Sequence, residues 1–175
     1  PTPWHNQNDT PVKSSYFGIV DTAGISKNDY YLYQSQWVDL DQQPMVHILP
    51  HWNWEIHKSY QQVVDKYGDI PVQVYSNAGS VELFLNGKSQ GRKTFQEKWT
   101  SDGRKYQEGE GSDQLYLEWR LPYQPGELHA VAYDHQGQLV AEDRVVTAGK
   151  PAKIGLHAEK TQLEPDGQDL LYLYF

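Results

Sequence analysis

The sequence predicts a mainly β chain organised around an antiparallel sandwich of immunoglobulin type. Short β-prone runs recur from Pro44 to Ala148 with Gly-, Pro-, Asn- or Asp-containing turns between them. Several runs alternate in period two, as in Val81, Leu83 and Leu85 against Glu82, Phe84 and Asn86, which marks strands with one buried face. Short strands at this spacing over about 100 residues are the signature of a two-sheet sandwich. The aromatic share of 13% stands out in a chain of mean hydropathy −0.77, so ring side chains must carry much of the burial.

Taken in order, the chain opens on PTPWHNQNDT (1–10), a lone tryptophan between proline and amides that encodes neither helix nor strand. SYFGIV (15–20) reads as extended, and Asp21-Thr22-Ala23-Gly24 as a turn. Ser26 followed by Asp29 resembles a capping box, and Tyr30, Tyr33, Gln34 and Trp37 then share one helical face, so the spacing predicts an amphipathic helix over 27–37. One helix and one short strand cannot build a core of their own, so residues 1–43 read as the end of a larger domain.

From Pro44 the expected strands are PMVHILP (44–50), IPVQVYS (70–76), SVELFLN (80–86), QLYLEWRL (114–121), ELHAVAYD (127–134) and QLVAEDRVVTA (138–148). Asn86-Gly87 predicts a tight hairpin, because both positions tolerate positive φ. The polar stretch 97–113 reads as a long exposed loop. Residues 44–149 make up the sandwich, and 150–175 the opening of a further β domain, since two strands alone are marginal in water.

The 175 residues carry a net charge of −8, which opposes binding to nucleic acid or to an anionic membrane surface and favours a neutral partner. Without cysteine the chain has neither a disulfide nor a thiolate nucleophile. His47, His51 and His57 match no standard zinc spacing, so no metal and no cofactor are expected. Asp39 and Asp41 read as a solvated linker, and Lys88, Arg92, Lys93, Lys98, Arg104 and Lys105 as a solvated basic face.

PTPW (1–4), SSYFGIVDTAG (14–24), DYYLYQSQW (29–37), PMVHILPHWNWE (44–55) and YSNAGSVELFLNGKSQG (75–91) together resemble the β-galactosidases of glycoside hydrolase family two, with the nearest likeness to the large cell-surface enzymes of streptococci. The resemblance implies that residues 1–43 are the terminal loop and final helix of a catalytic (β/α)₈ barrel, followed by an immunoglobulin-like domain. It implies that Trp4 lines the galactose pocket at the C-terminal face of the barrel, with His5 and Asn6 beside it. Trp37, His51, Trp52 and Trp54 are expected at the interface between barrel and sandwich. A retaining glycosidase needs two carboxylates about 5–5.5 Å apart. The family's two glutamates lie on earlier barrel strands, so no catalytic residue is expected here and the segment alone is predicted inactive. The implied partners are a galactose-terminated glycan and the rest of the barrel, with no nucleic acid and no direct membrane contact. The implied setting is extracellular, on a bacterial cell wall. Two other readings stay open: a carbohydrate-binding module using Trp52 and Trp54 as a platform, and a structural spacer.

Overall fold

The computed structural model describes residues 18–21, 24–56, 60–153 and 155–174. Its centre is a sandwich of two antiparallel sheets. The smaller sheet holds β1 (Val46–Leu49), β2 (Ile70–Ser76) and β6 (Leu117–Leu121) in the order β1-β2-β6. The larger holds β3 (Ser80–Leu85), β4 (Lys88–Trp99), β5 (Lys105–Gly109), β7 (Glu127–Tyr133) and β8 (Leu139–Val146) in the order β5-β4-β3-β7-β8.

The period-two alternation decides which residues meet between the sheets. Val46 and Ile48 of β1, Ile70, Val72 and Val74 of β2, and Leu117, Trp119 and Leu121 of β6 face Val81, Leu83 and Leu85 of β3 and Leu128, Ala130 and Ala132 of β7 in one core. Side chains tie the sheets at both edges. The Ile48 amide donates to Asp143 Oδ2 at 2.8 Å, joining β1 to β8. On the opposite edge Trp119 Nε1 donates to the Gly91 carbonyl at 3.3 Å, and Lys93 Nζ to the Glu118 carbonyl at 2.5 Å.

The Asn86-Gly87 hairpin forms as expected, with φ of 51° and 76°. Asn86 also clamps the neighbouring turn: its Nδ2 donates to the Pro125 carbonyl at 3.2 Å, and its Oδ1 accepts from the Glu127 amide at 2.9 Å. Gly126, at φ 136°, lies so close that a Cβ there would fall 1.8 Å from Asn86 Oδ1.

Two expectations are corrected. Residues 97–113 are no open loop: β4 continues to Trp99 and pairs with β5 from Phe95–Gly109 to Trp99–Lys105, a polar ribbon held by Lys98–Glu108 and Lys105–Glu97 ion pairs of 3.0 Å. Its polarity reflects partly exposed strands held by cross-strand ion pairs rather than missing structure. Lys88, Arg92, Lys93, Arg104 and Lys105 are exposed, the solvated basic face expected, with the Arg92 guanidinium 3.6 Å over the Tyr133 ring. A helix α2 (Tyr60–Tyr67) connects β1 to β2, laying Tyr60, Val63 and Val64 on the core. Its short YQQVVDKY pattern is too brief to stand out among strand-like runs.

The second correction concerns α1 (Asn28–Trp37). Its N-cap is Lys27, with no side-chain cap bond, so Ser26 and Asp29 form no capping box. Ser26 instead makes a bridge with Val20. The helix is also not orphaned: it packs on β1, β2 and β5, over the outer face of the smaller sheet. At the far end, β9 (His157–Ala158) and β10 (Leu173–Tyr174) form a two-stranded hairpin.

Candidate functional site

The joint between α1 and the sandwich is the best-built polar assembly the structure describes. His47, at an outward position on β1, stacks on Tyr31 of α1 with ring centroids 3.8 Å apart. Its Nε2 lies 3.3 Å from Asn28 Oδ1 in the first turn of the helix, and its Nδ1 lies 3.7 Å from Asp143 Oδ2 on β8. One imidazole therefore touches the helix, the small sheet and the large sheet. Burial lowers its pKa from 6.5, with the Asp143 carboxylate opposing that shift.

Next to it Tyr75 of β2 is buried, and burial pushes its hydroxyl pKa up, with Asp29 of α1 and Tyr116 adding to the rise. At the other end of the helix Gln36 reaches both ways: Nε2 donates to the Leu115 carbonyl at 3.4 Å, and Oε1 accepts from the Gln107 amide at 3.0 Å. Gln107 Nε2 in turn donates to the Ser76 carbonyl. Asn77, just past β2, fixes the segment that follows α1. Its Nδ2 donates to the carbonyls of Val38 (3.0 Å) and Gln43 (2.9 Å), and its Oδ1 accepts from the Met45 amide at 2.9 Å. A side chain that satisfies three backbone groups substitutes for a missing strand partner and holds the linker in one path.

The helix has a second face. Trp37 is 76% exposed and Tyr33 41%, their ring centroids 4.7 Å apart. A tryptophan of that exposure on a helix otherwise bonded down is apolar surface left available to a partner.

The sequence-predicted residues divide three ways. Trp4, His5 and Asn6 lie outside the described residues, as does His57. Trp37 stands at the joint with its ring outward. Trp52 and Trp54, expected at the interface or on a sugar platform, belong instead to the core of the sandwich, with exposures of 0% and 6%. The reason is local. Trp52 Nε1 donates to the Gln124 carbonyl at 2.8 Å, its ring meets Tyr123 at 5.4 Å, and its carbonyl accepts from Thr147 Oγ1 at 2.5 Å. The loop after β1 thereby folds into the end of the sandwich and carries both indoles inward, while His51 stays exposed, 5.1 Å from the Trp54 ring. Of the strand-region glutamates, Glu82 accepts from Ser89 Oγ at 2.6 Å, Glu118 pairs with Arg120 at 2.9 Å, and Glu55 is exposed.

His47 and Asn77 escaped the sequence reading. His47 was weighed only as a metal ligand, and Asn77 not at all. A polar residue at an outward strand position beside a helix with an aromatic stripe was the available signal for His47.

Residues 68–141 match a family model described as a domain of unknown function (DUF4982). The chain is 40% identical over 163 residues to the β-galactosidase BoGH2A of Bacteroides ovatus, a match covering 93% of this chain and 16% of that protein. It is 39% identical over 137 residues to a putative β-glucuronidase of Formosa agariphila, covering 78% of this chain and 11% of that protein. Among solved structures it is similar to a β-glycosidase from Bacteroides vulgatus at 34% identity and a TM-score of 0.60, over 90% of this chain and 17% of that one. A family 2 glycosyl hydrolase from Bacteroides cellulosilyticus matches at 31% identity and a TM-score of 0.65, over 91% of this chain and 20% of that one. The chain thus spans 16% and 11% of the length of these two curated relatives.

Proposed function

We propose, on the premise that the chain is a segment of a glycoside hydrolase family 2 protein, that it serves a retaining β-galactosidase by joining the catalytic barrel to the first sandwich that follows it. The two-faced helix carries this reading. One side of α1 is fixed to the sandwich through His47, Tyr31 and Gln36, and the other leaves Tyr33 and Trp37 exposed. An element bonded on one side and aromatic on the other is suited to transmit a fixed orientation from one domain to the next. Residues 1–43 supply the end of the barrel, 44–149 the sandwich and 150–175 the start of a further β domain.

In this reading Trp4, with His5 and Asn6, shapes the galactose pocket at the C-terminal face of the barrel. An indole face meets the C–H patch of the sugar ring, and the polar neighbours bind hydroxyls. The two carboxylates that protonate the leaving oxygen and attack the anomeric carbon come from the rest of the barrel. The segment contributes position: it holds the last barrel helix at a fixed distance from the sandwich. The substrate is a terminal β-linked galactoside, a preference supported by the identity to the B. ovatus β-galactosidase. The extracellular, wall-attached setting of the streptococcal enzymes belongs to the same proposal.

The likeness to a putative β-glucuronidase favours a second reading, in which the parent takes a β-glucuronide. Hydrolysis of 4-nitrophenyl β-galactoside and 4-nitrophenyl β-glucuronide by the full-length parent separates the two. The galactosidase reading requires the galactoside to have the higher kcat/KM and Trp4→Ala to lower it, with no turnover by the 175-residue chain alone. Preference for the glucuronide overturns it.

A further inference from the structure

A cleft of about 510 Å³ opens between the end of α1, the turn that follows it, the β4–β5 ribbon and the β7–β8 turn. Its walls are held from behind. Asn77 fixes the linker after α1, and Gln36 joins that helix to β5. Asp134 Oδ1 accepts from the amides of Gln136 and Gln138 at 2.9 and 2.8 Å, locking the β7–β8 turn. The cleft is therefore pre-formed, which lowers the ordering cost of filling it.

The lining has a definite chemistry. Asp39, Asp41, Gln42 and Gln136 border the space with side chains not consumed by internal hydrogen bonds or ion pairs among the described residues. Glu97 and Asp134 add carboxylates, and the Lys105 ammonium is already paired with Glu97 at 3.0 Å. Such a surface repels uronates, sulfates and phosphates, and offers acceptors and amides to neutral hydroxyls. Beside Lys105 on the ribbon is Trp99, 65% exposed at the end of β4 and not itself among the lining residues. It pairs directly with Lys105 and lies two residues beyond Glu97, both of which line the cleft, so its indole leaves the ribbon on that same face. An uncovered indole beside carboxylates and amides is the arrangement that takes a sugar ring, whose C–H face stacks while its hydroxyls are bound at the edge.

We propose that this cleft is an accessory binding site for a neutral saccharide, with Trp99 as its stacking surface and Gln136, Asp39 and Asp41 as hydroxyl partners. One wall is the end of α1 and the turn after it and the rest belongs to the sandwich, while Tyr33 and Trp37, the face assigned to the barrel, do not line it.

The test is a titration of the ¹⁵N-labelled 175-residue chain with lactose, followed by amide and indole shifts, with sodium glucuronate and a trilysine peptide as comparison ligands. Lactose should give saturable shifts at the Trp99 indole N–H and at the side-chain amides of Gln42 and Gln136, and glucuronate should not. Trp99→Ala, at an exposed position, should keep the fold and weaken lactose by about tenfold, about 1.4 kcal/mol. Gln136→Ala should weaken it less. Absence of lactose shifts, shifts confined to other residues, response to trilysine alone, or equal affinity in Trp99→Ala would each overturn the proposal. None of these outcomes bears on which glycoside the parent hydrolyses.

Discussion

Two sets of tryptophans divide this molecule. Trp52, Trp54 and Trp119 are 0%, 6% and 4% exposed inside the sandwich, whereas Trp37 and Trp99 stand 76% and 65% exposed at the helix end and on the ribbon. The residue type is the same, and the difference lies in what each ring is offered. Trp52 and Trp119 enter an apolar space in which their indole N–H groups find the Gln124 and Gly91 carbonyls. Trp37 and Trp99 sit on elements whose hydrogen bonds are made by other side chains. Burial thus marks the residues that hold the fold, and exposure on a fixed element marks those available to a partner.

The contrast is broken most strongly at Trp52. Trp52→Ala should cost about 3–5 kcal/mol, read as a lowered midpoint in urea unfolding, because it leaves a large cavity in a closely packed core and removes the indole that bonds the Gln124 carbonyl. Gly126→Ala comes next, at about 1–3 kcal/mol, since φ 136° and the approach to Asn86 Oδ1 both exclude a side chain; Asn86→Ala in the same background should recover part of that loss. Asn77→Ala should cost a similar amount, about 1–3 kcal/mol, by leaving the Met45 amide and the Val38 and Gln43 carbonyls without their partner. Trp37→Ala should shift the stability of the 175-residue chain by no more than about 0.5 kcal/mol, while lowering the thermal stability of the parent enzyme. Equal costs at Trp37 and Trp52 in the isolated chain would erase the distinction.

A pH series sharpens the joint. The folded pKa of His47 lies below its unfolded value of 6.5, so the unfolded chain binds the proton first as pH falls. The contribution of neutral His47 is therefore full above about pH 6.5 and is lost progressively as pH drops through the lower folded value. His47→Gln should flatten that part of the stability profile. A profile unchanged by the substitution would remove His47 from the joint.

Much of the sandwich was legible because period-two alternation and the Asn86-Gly87 turn are local signals. IPVQVYS (70–76) became β2 with those bounds, and the hairpin formed where the two residues demanded it. The β4–β5 ribbon was missed because its partly exposed strands carry polar residues on both faces and lose the apolar alternation: Lys98, Lys105 and Glu108 are stabilised by cross-strand pairing that no single window displays. The burial of Trp52 and Trp54 in the sandwich was not legible because the Gln124 carbonyl and Thr147 hydroxyl that turn the loop inward lie 72 and 95 residues from Trp52. The joint around His47 depends on a contact across β1, β8 and α1, which a linear reading reaches only after the strands are assembled.

The most direct test of the account is hydroxyl-radical footprinting of the isolated 175-residue chain and of the full-length parent, with oxidation of each tryptophan quantified by mass spectrometry. The account predicts that Trp52 is protected in both, Trp99 reactive in both, and Trp37 reactive in the chain but protected in the parent. Equal reactivity of Trp37 in the two would contradict the assignment of α1 as the joint between barrel and sandwich.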